Sequence, residues 1–154
     1  MLRVGVISDT HGLLRPEVVQ RLAGCDAIFH AGDIGGPHVL DALRGIAPVY
    51  AVRGNNDGAW AGALPESLRI TLGGTVFFVI HRRADISPAA DAAAIVVFGH
   101  SHQYSEKIEN GRLWLNPGSC GPRRFGREAS MALLWIKDNQ YRSQKIIIQP
   151  ETRK

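Results

Sequence analysis

Four consecutive apolar residues, Ile95-Val96-Val97-Phe98, run directly into Gly99-His100-Ser101-His102. An unbroken run of β-branched and aromatic residues predicts a strand buried on both faces, which restricts the chain to folds whose sheets are covered on each side. Gly99 ends the run and lets the backbone turn sharply. On an extended backbone, His100 and His102 at i, i+2 point to the same side. Two imidazoles at the carboxyl end of a buried strand suit a divalent metal, for which neutral imidazole is a good ligand. Taken alone, the pair reads equally well as two loop histidines facing water.

The rest of the chain repeats the arrangement. Residues 2–8 form a first strand ending in Asp9-Thr10-His11-Gly12. Pro16 opens a helix with Val18, Val19 and Leu22 on its apolar face, and Gly24 ends it. A second strand over 25–30 closes in Ala31-Gly32-Asp33, a second helix runs from Pro37 to Gly45, and a third strand over 46–52 closes in Arg53-Gly54-Asn55-Asn56-Asp57. Strand, loop, helix, strand is the pattern of βαβ units and a parallel sheet. Beyond residue 65, Gly73-Gly74 joins strands 67–72 and 75–80, and Asn110-Gly111 joins 104–109 and 112–115 as tight hairpins. A short helix is expected over 88–94, and a last antiparallel pair over 131–137 and 141–149. The expectation is one α/β domain over 1–154: parallel strands first, antiparallel strands later, in two facing sheets with outer helices.

The 154 residues, 45% of them hydrophobic, suffice for one core. No apolar run approaches the roughly 20 residues a bilayer requires, and Met1 leads straight into a strand without a signal-peptide layout. A cytoplasmic protein without membrane partners is expected. Cys25 and Cys120 are too few and too far apart for a disulfide scaffold or a thiolate metal site. A net charge of +4 allows anionic partners, but without a basic stripe no stable nucleic-acid complex is expected. A homo-oligomer is compatible with the sequence.

The polar residues fall at strand ends. Asp9 and His11 follow the first strand, Asp33 the second, Asn55 the third, His81 the strand ending at Ile80, and His100 and His102 the apolar run. In open α/β sheets, ligands bind in the crevice beyond the carboxyl ends of the strands. Each residue has an ordinary alternative as a cap or turn residue. Turn chemistry, however, does not require four histidines with carboxylates at successive strand ends.

In this order, Asp9-x-His11, Gly32-Asp33, Gly54-Asn55, His81 and Gly99-His100-x-His102 resemble the calcineurin-like metallophosphoesterases, closest to their small bacterial and archaeal phosphodiesterase branch. Asn116-Pro117-Gly118-Ser119 also resembles that branch's late loop, so the likeness covers nearly the whole chain. The resemblance implies a four-layer α/β/β/α sandwich with two divalent metals. One would take Asp9, His11, Asp33 and His102; the other would share Asp33 and add Asn55, His81 and His100. It implies a metal-dependent phosphodiesterase in which the metal pair acidifies a bridging water for in-line attack and clamps the phosphoryl oxygens. Oxygen and imidazole donors without thiolate favour manganese, iron, cobalt, nickel or zinc over calcium, and the resemblance points to manganese. It also places Asn55, Asn56 and Asp57 in the catalytic loop, with a phosphodiester or nucleotide-like small molecule as substrate.

Arg53, Arg82, Arg83, Arg123 and Arg124 gather near the same ends, and guanidinium forks bind phosphate well. Asn56, Arg82 and Arg123 are the expected substrate contacts; the three tryptophans read as core or interface residues. Two departures from the family pattern stand out. Asn56 occupies the place where many members carry a histidine that assists the leaving group. His81-Arg82-Arg83 replaces the branch's usual His-Gly-His, so an arginine there must point away or bind substrate. A eukaryotic retromer subunit resembles the same fold but has lost ligands and acts as a scaffold, whereas His11 and the full ligand set are present here.

Overall fold

Alternation along each strand decides which side it buries. In the computed structural model, which describes residues 1–123, 128–138 and 140–149, the strands are Leu2–Ile7 (β1), Ala27–His30 (β2), Val49–Ala51 (β3), Ser67–Leu72 (β4), Thr75–Ile80 (β5), Ile95–Val97 (β6), Tyr104–Glu109 (β7), Arg112–Pro117 (β8), Ala129–Lys137 (β9) and Gln140–Ile148 (β10). They form two five-stranded sheets, ordered β10-β9-β1-β2-β3 and β4-β5-β6-β8-β7. Val4 and Val6 of β1 meet Phe77, Val79, Ile95, Val97, Leu113 and Leu115 of the second sheet in the central core. Ile7 turns the other way, under the helices Pro16–Leu22 (α1) and Pro37–Arg44 (α2). Each helix has proline in its first turn, and Val18, Leu22, Val39, Leu40 and Leu43 seal the outer face of the first sheet.

The layer order is the expected α/β/β/α, with a thin last layer. Over the second sheet lie two short 3-10 turns, Arg83–Asp85 and Pro88–Ala90, and Ala90 and Ala93 pack there with Phe78, Val96, Phe98 and Trp114. The segment 88–94 forms only this turn, with Ser87 Oγ accepting from the Ala89 amide at 3.3 Å. Seven residues before β6 are too few to nucleate a lone α-helix without deeper packing.

The division into parallel and then antiparallel strands holds only in part. β1, β2 and β3 are parallel, and β9 and β10 add antiparallel strands to the same sheet. In the second sheet β4 and β7 pair antiparallel with β5 and β8, but β6 is parallel to both its neighbours, with Phe77 opposite Ile95 and Ile95 opposite Leu113. An apolar strand needs cover on both faces; Ile95 and Val97 face the central core and Val96 the outer cluster. The third strand is shorter than its sequence run because the Ile46 and Ala47 amides bond Leu43 O and close α2. Among the described residues no helix is long and apolar enough to cross a membrane.

Candidate metal centre

The loops after β1 and β2 are stitched together by backbone bonds: Asp9 N to Gly32 O at 3.0 Å, His11 N to Asp33 O at 3.0 Å and Gly12 N to Ile34 O at 2.8 Å. Seven described non-glycine residues have positive φ, and five of them are Asp9, His11, Asp33, His100 and His102. The other two, Asn110 and Asp138, sit in hairpin turns. A left-handed non-glycine residue costs on the order of 1–2 kcal/mol, so backbone strain is concentrated where the candidate ligands lie. It also corrects the sequence reading of His100 and His102. Neither stands on extended backbone; their imidazoles lie in different groups, the division that the family resemblance implies, rather than side by side.

Asp9, His11 and His102 make one group and Asp33, His81 and His100 a second, each with its ligating atoms within 4.8 Å of one another. In the first, Nε2 of His11 and His102 are 3.3 Å apart, and Asp9 Oδ1 lies 3.5 Å from His102 Nε2 and 3.9 Å from His11 Nε2. A point in the plane of these three atoms and equidistant from them is roughly 2.1 Å from each, within the range of metal–nitrogen and metal–oxygen bonds. In the second group, Asp33 Oδ2 lies 3.3 Å from His81 Nε2, and it is also 3.8 Å from His11 Nε2 of the first. That oxygen therefore stands between the two groups.

Hydrogen bonds orient the remaining atoms of these groups. Asp9 Oδ2 accepts from Ser8 Oγ at 2.7 Å and from the His100 amide at 3.1 Å. This leaves the buried Oδ1 without a hydrogen-bond partner among the described residues, as is His81 Nε2. His81 Nδ1 donates to Ala31 O at 2.8 Å, which fixes the tautomer with Nε2 facing the carboxylates. Orphaned buried acceptors are rare and costly, and a cation held between these two atoms would satisfy both, so the residues fit divalent ions. Burial opposes a charge on His81, but the Asp33 and Asp9 carboxylates outweigh it and raise its pKa. Burial likewise opposes ionisation of Asp33, yet in the metal-free site the positive charge of a protonated His81 beside it and the hydrogen bonds from Asn56 hold it well below the usual carboxylate range.

Two glycines make the crowding possible. A Cβ on Gly54 would collide with the Asp33 amide and Oδ1, and one on Gly99 would collide with Ser8 Oγ and come within 2.8 Å of Asp9 Oδ2. Gly99 thus serves close approach between the sheets as well as ending a strand.

The expected site residues differ in how closely they join the centre. Asn55 is exposed and lines a groove of about 730 Å³ together with His81, Arg53 and Arg82. Asn56 donates to Asp33 twice, from its amide to Oδ1 at 2.9 Å and from Nδ2 to Oδ2 at 3.0 Å. The described side-chain hydrogen bonds of Asp57 go to backbone amides, not to the ligand side chains. Its carboxylate accepts from the amides of Ile34, Gly35 and Gly54 at 2.9–3.1 Å and pins the second ligand loop to the third. Of the arginines, Arg53 pairs with Glu66 at 2.9 Å and Arg82 lies 3.8 Å from Asp85 in the same groove. Arg83 turns outward to Glu109, its guanidinium 4.2 Å over the Trp114 ring. Arg123 lines a second groove with His102. Arg124 lies outside the described residues.

The sequence pattern gave no role to the buried supports. Asn116 Nδ2 donates to Gly99 O at 3.2 Å and to Ser101 Oγ at 3.0 Å, bracing the histidine loop, and Ser119 Oγ donates to Asp9 O at 2.9 Å. The late Asn-Pro-Gly-Ser loop marked both. His30 carried no signal beyond its place at a strand end, yet it is fully buried and burial pushes its pKa down to about 4. The unfolded chain takes up that proton near pH 6.5 and the folded one refuses it until about 4. Stability is therefore lost as pH falls through this window, by about 2–3 kcal/mol at pH 4.5. Denaturant titrations of the metal-free protein at pH 7 and 4.5 check this: His30→Asn should lose less on acidification than the parent, and equal losses would contradict it.

A two-sheet sandwich holding paired Asp/His groups at its strand ends defines a metallophosphoesterase-fold protein. The calcineurin-like phosphoesterase superfamily domain matches residues 2–139, and the chain belongs to that family. It is 32% identical over 146 residues to a probable metallophosphoesterase of Methanothermobacter thermautotrophicus, covering 84% of each chain. It is 23% identical over 141 residues to phosphodiesterase MJ0936 of Methanocaldococcus jannaschii, covering 77% of this chain and 84% of that one. Among solved structures it is similar to Vps29 of Entamoeba histolytica complexed with zinc, at a TM-score of 0.74 and 25% identity over 95% of this chain and 99% of that one.

Proposed function

We propose that the protein is a metal-dependent phosphodiesterase with two divalent ions, manganese the best candidate. Asp9, His11, Asp33 and His102 would hold one ion, and Asp33, Asn55, His81 and His100 the other. The observation that carries this reading is the convergence of strained backbone at five of these residues with Asp33 Oδ2 between the two groups. Relatives named as metallophosphoesterases and a phosphodiesterase support phosphoric ester hydrolysis. When bound, such an ion pair ionises a water at neutral pH and neutralises charge on the phosphoryl group.

The chain's own residues supply the rest. Arg82 and Arg123, in grooves beside His81 and His102, are placed to bind phosphate oxygens or the ester arms. Asn56 lies against Asp33 and has no proton to give at neutral pH. A leaving group that needs protonation therefore gets no help from this position. Diesters with good leaving groups should be turned over well, and alkyl monoesters poorly. The test is a matrix of manganese, nickel, iron, cobalt and zinc against aryl and cyclic diesters, nucleotides and monoesters. Efficient phosphate release from sugar or serine monoesters would contradict the diesterase reading. Inactivity on every ester with both metals bound would favour the scaffold reading that the likeness to Vps29 raises.

A further inference from the structure

We propose that Thr10 and His30 form a buried clamp that positions Asp9, His11 and Asp33, so that metal affinity depends on a hydrogen bond between two residues that touch no metal. The proposal rests on the metal-centre reading. The Gly32 amide donates to His30 Nδ1 at 3.1 Å, so in the neutral ring the proton sits on Nε2. Nε2 then donates to Thr10 Oγ1 at 3.0 Å, and the Thr10 hydroxyl donates to Ile34 O at 2.7 Å. Every donor in this chain has an acceptor, and both side chains are wholly buried. A ring that resists protonation keeps this direction of donation.

The placement gives the chain its consequence. Thr10 stands between Asp9 and His11, whose φ values are 57° and 46°, and Gly32 and Ile34 flank Asp33, at 56°. The clamp thus ties the strained turn that carries two ligands to both sides of the strained residue that carries the shared one. Backbone bonds from Asp9, His11 and Gly12 already join the two loops; Thr10 adds the side-chain attachment at the middle of the Asp9–His11 turn, reaching His30 and Ile34 O. A preorganised centre binds ions without first ordering this turn, and loss of outer hydrogen bonds around metal ligands typically costs 10–100-fold in affinity.

Manganese titration of the metal-free full-length protein tests the proposal, with thermal melting of each metal-free variant as the control for folding. Thr10→Val removes the hydroxyl at nearly constant volume, Thr10→Ser retains it, and His30→Asn keeps an acceptor for the Gly32 amide but falls short of Thr10. Thr10→Val and His30→Asn should each bind manganese about 10–100-fold more weakly, Thr10→Ser should stay within about threefold of the parent, and the double variant should be no weaker than either single one. A merely structural role would lower melting temperatures and leave the affinity of the folded protein unchanged; that result overturns the clamp, as do additive losses in the double variant. If Thr10→Val does not fold, His30→Asn against the parent decides on the same criterion. A parent protein that binds no manganese overturns the metal-centre reading itself, and the clamp with it.

Discussion

Asp33→Asn is expected to lower kcat/KM on an aryl phosphodiester by about 10³-fold or more, because in the proposed two-metal centre it would remove charge that both ions share. Its Oδ2 is the oxygen within 3.3 Å of His81 Nε2 and 3.8 Å of His11 Nε2. Each carboxylate oxygen also accepts one bond from Asn56. An asparagine can present only one oxygen, so in either orientation its NH₂ faces an Asn56 donor. The variant would thus lose the proposed shared ligand and leave a donor unsatisfied, and manganese titration should show both proposed sites weakened. Asn55→Ala, at an exposed residue of the groove that His81 also lines, should weaken the proposed second site and spare the first. Indistinguishable titrations for the two variants would contradict the assignment of Asp33 as shared.

The second large effect concerns stability. Asp57→Ala should destabilise the fold by about 3–5 kcal/mol, since it strips acceptors from three backbone amides in the loops after β2 and β3, two of them buried. For a chain of this length that is a fall of about 10 °C in melting temperature. Asp57→Asn, which keeps one acceptor oxygen, should lose less than half as much. The family resemblance placed Asp57 in the catalytic loop, as a partner for a histidine that this chain replaces with Asn56. A loss of turnover with melting temperature within about 2 °C of the parent would restore that role and contradict the pinning role.

Much of the fold was legible because short-range chemistry decided it. Gly73-Gly74 and Asn110-Gly111 set hairpins at the expected residues, and Pro16 and Pro37 opened helices where a first turn tolerates proline. The ligand candidates were legible because each follows a strand end, a position that sequence order alone reveals. What escaped depended on long-range partners. The parallel neighbours of β6 come from segments some 20 residues away on either side, and no local pattern distinguishes them from hairpin strands. The left-handed backbone of His100 and His102, beside a Gly99 packed closely against Ser8 and Asp9, replaces the extended pairing that their i, i+2 spacing suggested. His30 and Asn116 act through hydrogen bonds to Thr10, Gly99 and Ser101, and nothing in their own neighbourhoods announces these partners.

Whether two metal positions share Asp33 is tested most directly by anomalous scattering from manganese-soaked crystals. Two peaks are expected, one among Asp9, His11 and His102 and one among His81, His100 and Asn55, with Asp33 reaching both. A single peak, or two peaks of which neither involves Asp33, would contradict it.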